Sequence, residues 1–314
     1  MRSLDDIVSQ YEFKHIRSDY VVSFGDDANG AIESIGIGKG PDELFEIGYY
    51  YYDDSRLKPI INISPMIGCP SKCIMCTLGH NEFKRVLTAE EMYEQIMLML
   101  LHARRFVSIE KQHKVSVAKS GEPLLNPHLV SWLEMIGTLG FSIKVSTVFP
   151  KGERAQRTFE EVSEFARNYR EPVQFQISLI STNERYRSKV TGGVGASFSE
   201  IRKSIELWFE YNPLPKGRKP NLSLILAEDT PADPREIFHV LPSDLVNIRL
   251  RNIIQTENAH LQSMRDEQLE LIRKKFLDYG YTVSEWGRPP ALARRFKLYN
   301  NSTLERYRKQ VGID

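Results

Sequence analysis

The sequence predicts an α/β fold built on a parallel sheet, either closed as a barrel or doubly wound. Three observations predict it. From residue 59 onward, short β-branched apolar runs alternate with longer amphipathic stretches, six of each. The longer stretches repeat apolar residues at helical spacing, as Leu269, Ile272, Phe276 and Tyr279 do with charges between them. Every cysteine of the chain lies in one loop directly after the first candidate strand. In parallel barrels the loops at the C-terminal ends of strands carry the chemistry.

The elements follow in order. Residues 1–58 stand apart: Tyr20–Phe24 and Ala31–Ile37 flank a turn with Asp26, Asp27, Asn29 and Gly30, which predicts a β-hairpin extension. Residues 59–287 form the predicted core. Its strands are Ile60–Ser64, Lys114–Lys119, Ser142–Val148, Val173–Ile180, Asn221–Ala227 and Leu245–Leu250, with Thr282–Glu285 as an edge. Its helices are Thr88–Arg105, His128–Leu139, Glu153–Tyr169, Phe198–Tyr211, Pro234–Leu241 and Arg265–Tyr279. Thr88 followed three residues on by Glu91 is a capping-box pattern that fixes the start of the first helix. Residues 288–314 form a basic C-terminal segment with Arg288, Arg294, Arg295, Lys297, Arg306, Arg308 and Lys309. That segment is expected either as a solvated charged tail or as a clamp for a phosphate-bearing substrate.

Composition removes several function classes. Forty-two Lys and Arg against 41 Asp and Glu leave no global field to draw the chain to nucleic acid or an anionic membrane. The longest apolar run, around Met97–Leu101, is broken by Glu94 and His102 and is too short to span a bilayer. Met1–Asp6 begins no secretory signal, so a cytoplasmic protein is expected.

The cysteines carry the chemistry. Cys69, Cys73 and Cys76 stand at C-x3-C-x2-C spacing in a loop with Gly68, Pro70, Ser71 and Lys72. A 4Fe–4S cluster normally takes four thiolates, so a loop with three leaves one iron open to another ligand. Zinc held by the three cysteines and His80 is the competing reading, but zinc ligands usually come as two separated pairs and these crowd into twelve residues. Disulfides fit neither the odd count nor the close spacing. One βα unit later, Gly121-Glu122-Pro123-Leu124-Leu125-Asn126 ends the second strand. Its glycine permits close backbone approach, and its carboxylate can accept hydrogen bonds from a ligand ammonium.

With these residues the chain resembles the radical S-adenosylmethionine (SAM) superfamily. Its core is most similar to the ribosomal-RNA adenine methyltransferases that act through a methylated cysteine. The likeness runs from about Ile60 to Arg295. It is carried by the cysteine loop with Gly79, Leu87–Glu91 with Gln95, Gly121–Asn126, Val145–Thr147, Ser178-Leu179, and Asn183-Glu184 with Arg187. It implies a partial (β/α)6 radical-SAM barrel. It implies a 4Fe–4S cluster on Cys69, Cys73 and Cys76, with SAM chelated at the open iron. Gly121 and Glu122 would contact the methionine part, and Ser146 and the Ser178–Ile180 strand end the ribose and carboxylate. Asn252, with Asn258 as its rival, would lie near the cofactor. Tyr186, Arg187, Glu285 and Trp286 are further substrate-side candidates.

Two departures limit the likeness. Gly287–Arg295 aligns with the methyl-carrying segment and holds no cysteine, and Asn62 stands near the place of the other required thiol. Fewer than 20 residues precede the hairpin, so the family's N-terminal RNA-binding domain is expected to be absent. The reading is therefore a radical SAM enzyme that is not a methyl-cysteine methyltransferase. It would cleave SAM reductively to a 5′-deoxyadenosyl radical and abstract hydrogen from a small polar or nucleotide-like substrate, in natural-product or cofactor biosynthesis. RNA modification and a non-catalytic electron-transfer or regulatory protein are the alternatives. The partners implied are a small-molecule substrate, phosphate-bearing if the basic segment binds it, and a reductant such as flavodoxin or ferredoxin. Nucleic acid is less favoured, and no membrane partner is expected.

Overall fold

The computed structural model describes residues 3–26, 31–38, 43–51, 58–76, 82–105, 107–253 and 261–285, with Gly40 and Leu78 besides. The chain forms two compact units. One comprises Met1–Pro70, Asn81–Lys144 and Pro289–Asp314, the other Ser71–His80 and Val145–Arg288.

The first unit opens with α1 (Leu4–Ser9), whose Ser3 and Asp6 form a capping box. The strands β1 (Arg17–Asp26), β2 (Ala31–Ile37) and β3 (Leu44–Tyr50) follow as an antiparallel meander. The expected hairpin is present, and β3 lengthens it. Phe45, Ile47 and Tyr49 alternate inward on β3 and are fully buried, a period-two signal interrupted in the sequence by Gly48. β3 pairs antiparallel with β4 (Ile60–Ile63), placing Gly48 opposite Asn62. Next come two short strands, β5 (Met66–Ile67) and β6 (Arg85–Val86), paired with each other, and then α2 (Ala89–Ala103). β7 (Lys114–Val117) lies parallel to β4 and leads through α3 (Leu129–Gly137) to β8 (Ser142–Thr147). The sheet order here is β1-β2-β3-β4-β7-β8.

The second unit continues through α4 (Glu153–Asn168), β9 (Val173–Ile180), α5 (Glu184–Val190), α6 (Phe198–Tyr211), β10 (Asn221–Leu226), β11 (Asn247–Asn252), α7 (Asp266–Asp278) and β12 (Val283–Glu285). β9, β10, β11 and β12 pair in that order, all parallel. One sheet face is apolar: Phe175, Ile177, Leu179, Leu222, Leu224, Ile248 and Leu250 are fully buried. Stacked rings anchor it, with Phe159 and Phe175 centroids 4.4 Å apart and Phe175 and Trp208 5.2 Å apart.

Three expectations are corrected in this unit. The helix expected over Pro234–Leu241 is a single 3-10 turn, Pro234–Glu236, followed by isolated turn bonds such as Leu241 N–H to Ile237 O at 2.7 Å. Pro231, Pro234 and Pro242 bracket a segment too short to propagate an α-helix. β11 begins two residues later than expected. Leu245 N–H is spent on a turn to Pro242 O, and the ladder starts at Asn247 N–H to Pro220 O. Finally, α5 was not expected. Asn183 Oδ1 caps it by accepting Tyr186 N–H at 3.0 Å.

Candidate cluster and cofactor site

In the first unit, polar clasps fix the chain on both sides of the cysteine loop. Ser64, just after β4, donates its backbone N–H to Gln95 Oε1 at 2.8 Å, and Gln95 Nε2 donates back to Ser64 O at 2.9 Å. Asn126 Nδ2 donates to Pro65 O at 2.7 Å and to Leu87 O at 2.9 Å, so one buried amide holds the outgoing and returning strands together. Between them, β5 and β6 form a short stalk, continued by Lys84 N–H to Ile67 O at 3.0 Å. Gly68 turns the chain out of this stalk at φ +74°. A Cβ there would lie 2.1 Å from the carbonyl oxygen of Glu82, so no other residue fits. Cys69 follows and is 9% exposed.

Gly121 has φ +112°, and a Cβ on it would meet the Met66 side chain at 2.6 Å. Its lack of a side chain lets the end of β7 close against the start of the stalk, where Met66 N–H donates to Ser120 O at 3.1 Å. Glu122 is 2% exposed, and its Oε1 accepts Leu124 N–H at 3.1 Å, capping the turn Pro123–Leu125. The sequence placed the Gly-Glu pair after the second core strand, and Gly121 stands four residues past the end of β7.

In the second unit, Cys73 is 5% exposed and Cys76 half-buried, in consecutive turns closed by Cys73 N–H to Ser71 O and Cys76 N–H to Cys73 O. Ile74 N–H donates to Val190 O at 2.9 Å, which ties this stretch to the end of α5. Arg187 of α5 is 1% exposed. Its guanidinium donates to Ala196 O and, at 2.6 Å, to Val148 O, and lies within electrostatic reach of Cys73. Burial pushes its pKa down to about 10. Gly195 packs against that guanidinium. Arg251 at the end of β11 lies within electrostatic reach of Cys76. A loop of thiolates around iron carries net negative charge, which both cations favour.

The remaining expected residues fall as follows. Ser146 on β8 has a buried hydroxyl with no hydrogen-bond partner, as does Ser71 in the cysteine loop. Such atoms are costly unless a ligand or water completes them. Ser178 is half-buried on β9, opposite Ser223 of β10. Asn252 is engaged by protein: its Nδ2 donates to Met264 O at 2.6 Å and its Oδ1 accepts Met264 N–H at 2.9 Å. Tyr186 OH donates to Asp229 Oδ1 at 3.1 Å. Gly79, His80, Asn258, Trp286 and the segment 288–314 lie outside the described residues, as does the side chain of Glu285. Cys69 belongs to the first unit and Cys73 and Cys76 to the second. Among the described residues no three His, Cys, Asp or Glu side chains gather in a metal-holding arrangement. Sequence reasoning missed Arg249 and Arg251. The signal was there: in Ile248-Arg249-Leu250-Arg251 the cations alternate with apolar residues on a strand buried among others.

A parallel α/β sheet with a three-cysteine loop after its first parallel strand defines a class of iron–sulfur proteins. Residues 63–240, a little over half of the chain, match the family model of the radical SAM superfamily, and the chain belongs to that superfamily. Among curated proteins it is 42% identical over 82 residues to a probable dual-specificity RNA methyltransferase RlmN of Chlorobaculum tepidum, covering 24% of this chain and 20% of that protein. It is 28% identical over 179 residues to the protein of the same name from Trichodesmium erythraeum, covering 56% of this chain and 48% of that one. The chain thus spans about half or less of the length of these relatives. Among solved structures, a radical SAM methyltransferase from Sphaerobacter thermophilus superimposes with TM-score 0.70 at 17% identity, covering 90% of this chain and 80% of that one. SuiB of Streptococcus suis bound to S-adenosylmethionine gives TM-score 0.52 at 16% identity, covering 78% of this chain and 54% of that one. The fold is therefore the partial radical-SAM barrel that the sequence led us to expect.

Proposed function

We propose that this protein is a radical SAM enzyme that abstracts hydrogen from a small polar or nucleotide-like substrate and does not transfer a methyl group through cysteine. The observation that carries this is the cysteine inventory. The chain has three cysteines, all in the C-x3-C-x2-C loop, which leaves no thiol to carry a methyl group and none for a second cluster. The donor chemistry is that of a 4Fe–4S cluster with one open iron: three thiols at C-x3-C-x2-C spacing, with orphaned hydroxyls on Ser71 and Ser146 in the second unit. When bound, that cluster and SAM supply one-electron cleavage of the S–C5′ bond and a 5′-deoxyadenosyl radical.

The chain's own residues do the rest. Cys69, Cys73 and Cys76 would hold the iron. Glu122 presents a carboxylate already fixed by Leu124 N–H, so it can accept hydrogen bonds from the methionyl ammonium without reordering. Gly121 supplies the positive φ that turns the chain into Glu122. Ser146 offers its unpaired hydroxyl, and Ser178 a half-buried one, to the ribose and carboxylate. Asn252 acts one step back by fixing Met264. A reductant such as flavodoxin or ferredoxin would deliver the electron.

The second reading is RNA modification, favoured by the names of the curated relatives. The absence of cysteine from Gly287–Arg295 and at Asn62 argues against the methyl-cysteine chemistry that the sequence resemblance implies. The test is anaerobic reconstitution with iron and sulfide, reduction with dithionite and addition of SAM. Wild type is expected to form 5′-deoxyadenosine, and Cys76→Ala none. A fully loaded cluster yielding no 5′-deoxyadenosine would overturn the assignment.

A further inference from the structure

On the polar face of the second unit's sheet, Arg249 has no part in the proposed function, while Arg251 two residues on lies within electrostatic reach of Cys76. On β11, Ile248 and Leu250 point into the apolar core, so Arg249 and Arg251 occupy the opposite face. Register places Gln176 and Asn221 side by side on β9 and β10, and Ser178, Ser223 and Arg249 in the next row across β9, β10 and β11. The Arg249 guanidinium reaches across β10 to Gln176 Oε1 at 3.4 Å, which confirms that these side chains share a face. That hydrogen bond is long and its acceptor is neutral, and no carboxylate pairs with Arg249 among the described residues. Burial lowers the pKa of Arg249, and burial followed by the charge of Arg249 lowers that of Arg251 to about 10.

Two like charges two residues apart on a strand stand about 7 Å apart at the backbone, in surroundings that strengthen their repulsion. Arg249 is half-buried, and a guanidinium so placed with no carboxylate beside it is suited to receive an anion. The SAM carboxylate would not answer this need, because the proposed function already gives it the hydroxyls of Ser146 and Ser178. A guanidinium fork with the Ser223 hydroxyl next to it in the row matches the oxygens of a phosphate, and a second cation matches its second charge.

We infer that Arg249, with Arg251 beside it on β11 and the hydroxyl of Ser223 next to it in its row, binds the phosphate group of the substrate on the polar face of the second unit's sheet. This rests on the proposed function and deepens it. The substrate class becomes a phosphate monoester, such as a nucleotide or sugar phosphate. Because Arg251 lies within electrostatic reach of Cys76, the phosphate would be held beside the cluster loop.

The test uses the reconstituted protein with SAM bound, under anaerobic conditions, with inorganic phosphate as the probe and acetate at equal ionic strength as the control. Binding is read by 31P line broadening and by calorimetry. Wild type is expected to bind phosphate saturably and acetate at least tenfold more weakly. Arg249→Gln should weaken phosphate at least tenfold, Arg249→Lys less, and both should bind SAM within twofold of wild type. The Lys variant keeps the charge, so a folding defect in the Gln variant would not be mistaken for lost recognition. Phosphate binding unchanged in Arg249→Gln overturns the inference, as does no saturable binding to wild type. Loss of SAM in place of phosphate overturns it too, and would assign the arginine to the cofactor. Phosphate binding without 5′-deoxyadenosine formation would sink the proposed function and leave the anion site standing.

Discussion

His113 is a sensitive single residue in the first unit. It is fully buried, with its Nε2 2.9 Å from Tyr49 OH and its ring against Phe141. Burial pushes its pKa down to about 4, from an ordinary value of 6.5. The unfolded chain therefore binds a proton that the folded chain refuses between those values, and stability must fall as pH drops from about 6.5 to 4. A shift of that size corresponds to about 3 kcal/mol. Thermal melts from pH 7 to 4.5 should show a steep acid limb in wild type and a shallower one in His113→Gln; equal limbs would assign the acid sensitivity elsewhere. Gly68 makes a second residue-scale case. Gly68→Ala must meet the Glu82 carbonyl at 2.1 Å and adopt a positive φ, together more than about 2 kcal/mol. It should lose most of its reconstitutable iron. Gly140→Ala, also at positive φ but with open space around it, should keep its iron.

Among the elements, β6 owes its place to one arginine. Arg85 binds Glu43 through Nε and Nη2 at 2.7 and 2.6 Å, and Glu91 through Nη1 and Nη2, both at 2.8 Å. Glu91 is fully buried and also accepts Thr88 N–H, so it cannot lose the cation cheaply. Arg85→Met should cost about 3–5 kcal/mol by stranding that carboxylate, whereas Glu43→Gln should cost about 1 kcal/mol. Urea denaturation separates the two, and similar costs would refute the stranded-charge account. Legibility followed the same line between local and distant causes. β9 was legible to the residue, because its eight residues form one β-rich run bounded by Pro172 and Ser181. The capping box of α2 and the cysteine loop are local patterns too. Asn126 was read as part of a motif, but its grip on Pro65 and Leu87 depends on a partner 61 residues away. Arg249 looked like an ordinary charged strand residue until the register of β9 and β10 gave it a row of neighbours.

For the molecule as a whole, charge balance sets the choice of partner. A net charge of +1 gives little electrostatic gain on a phosphate backbone, while the half-buried cations of β11 can still take one small anion. RNA affinity is therefore expected to be weak and to vanish between about 0.05 and 0.2 M salt, whereas binding of a monophosphate should persist. Filter binding with a ribosomal-RNA fragment measures this, and retention at the higher salt would favour the RNA-modifying reading. In the described residues no helix is long and apolar enough to cross a membrane.

The stalk of β5 and β6 bears on how such a protein lives with oxygen. Its ends are joined by backbone ladder bonds, by Leu87 N–H to Pro65 O and by the amide of Asn126, none of which involves a thiol. The loop's closure entropy is therefore met by the polypeptide itself and not by iron. A cluster destroyed by oxidation would leave the stalk's framework in place, ready to be refilled. Damage of that kind calls for repair of the cofactor, where a metal-folded domain would call for synthesis of a new chain.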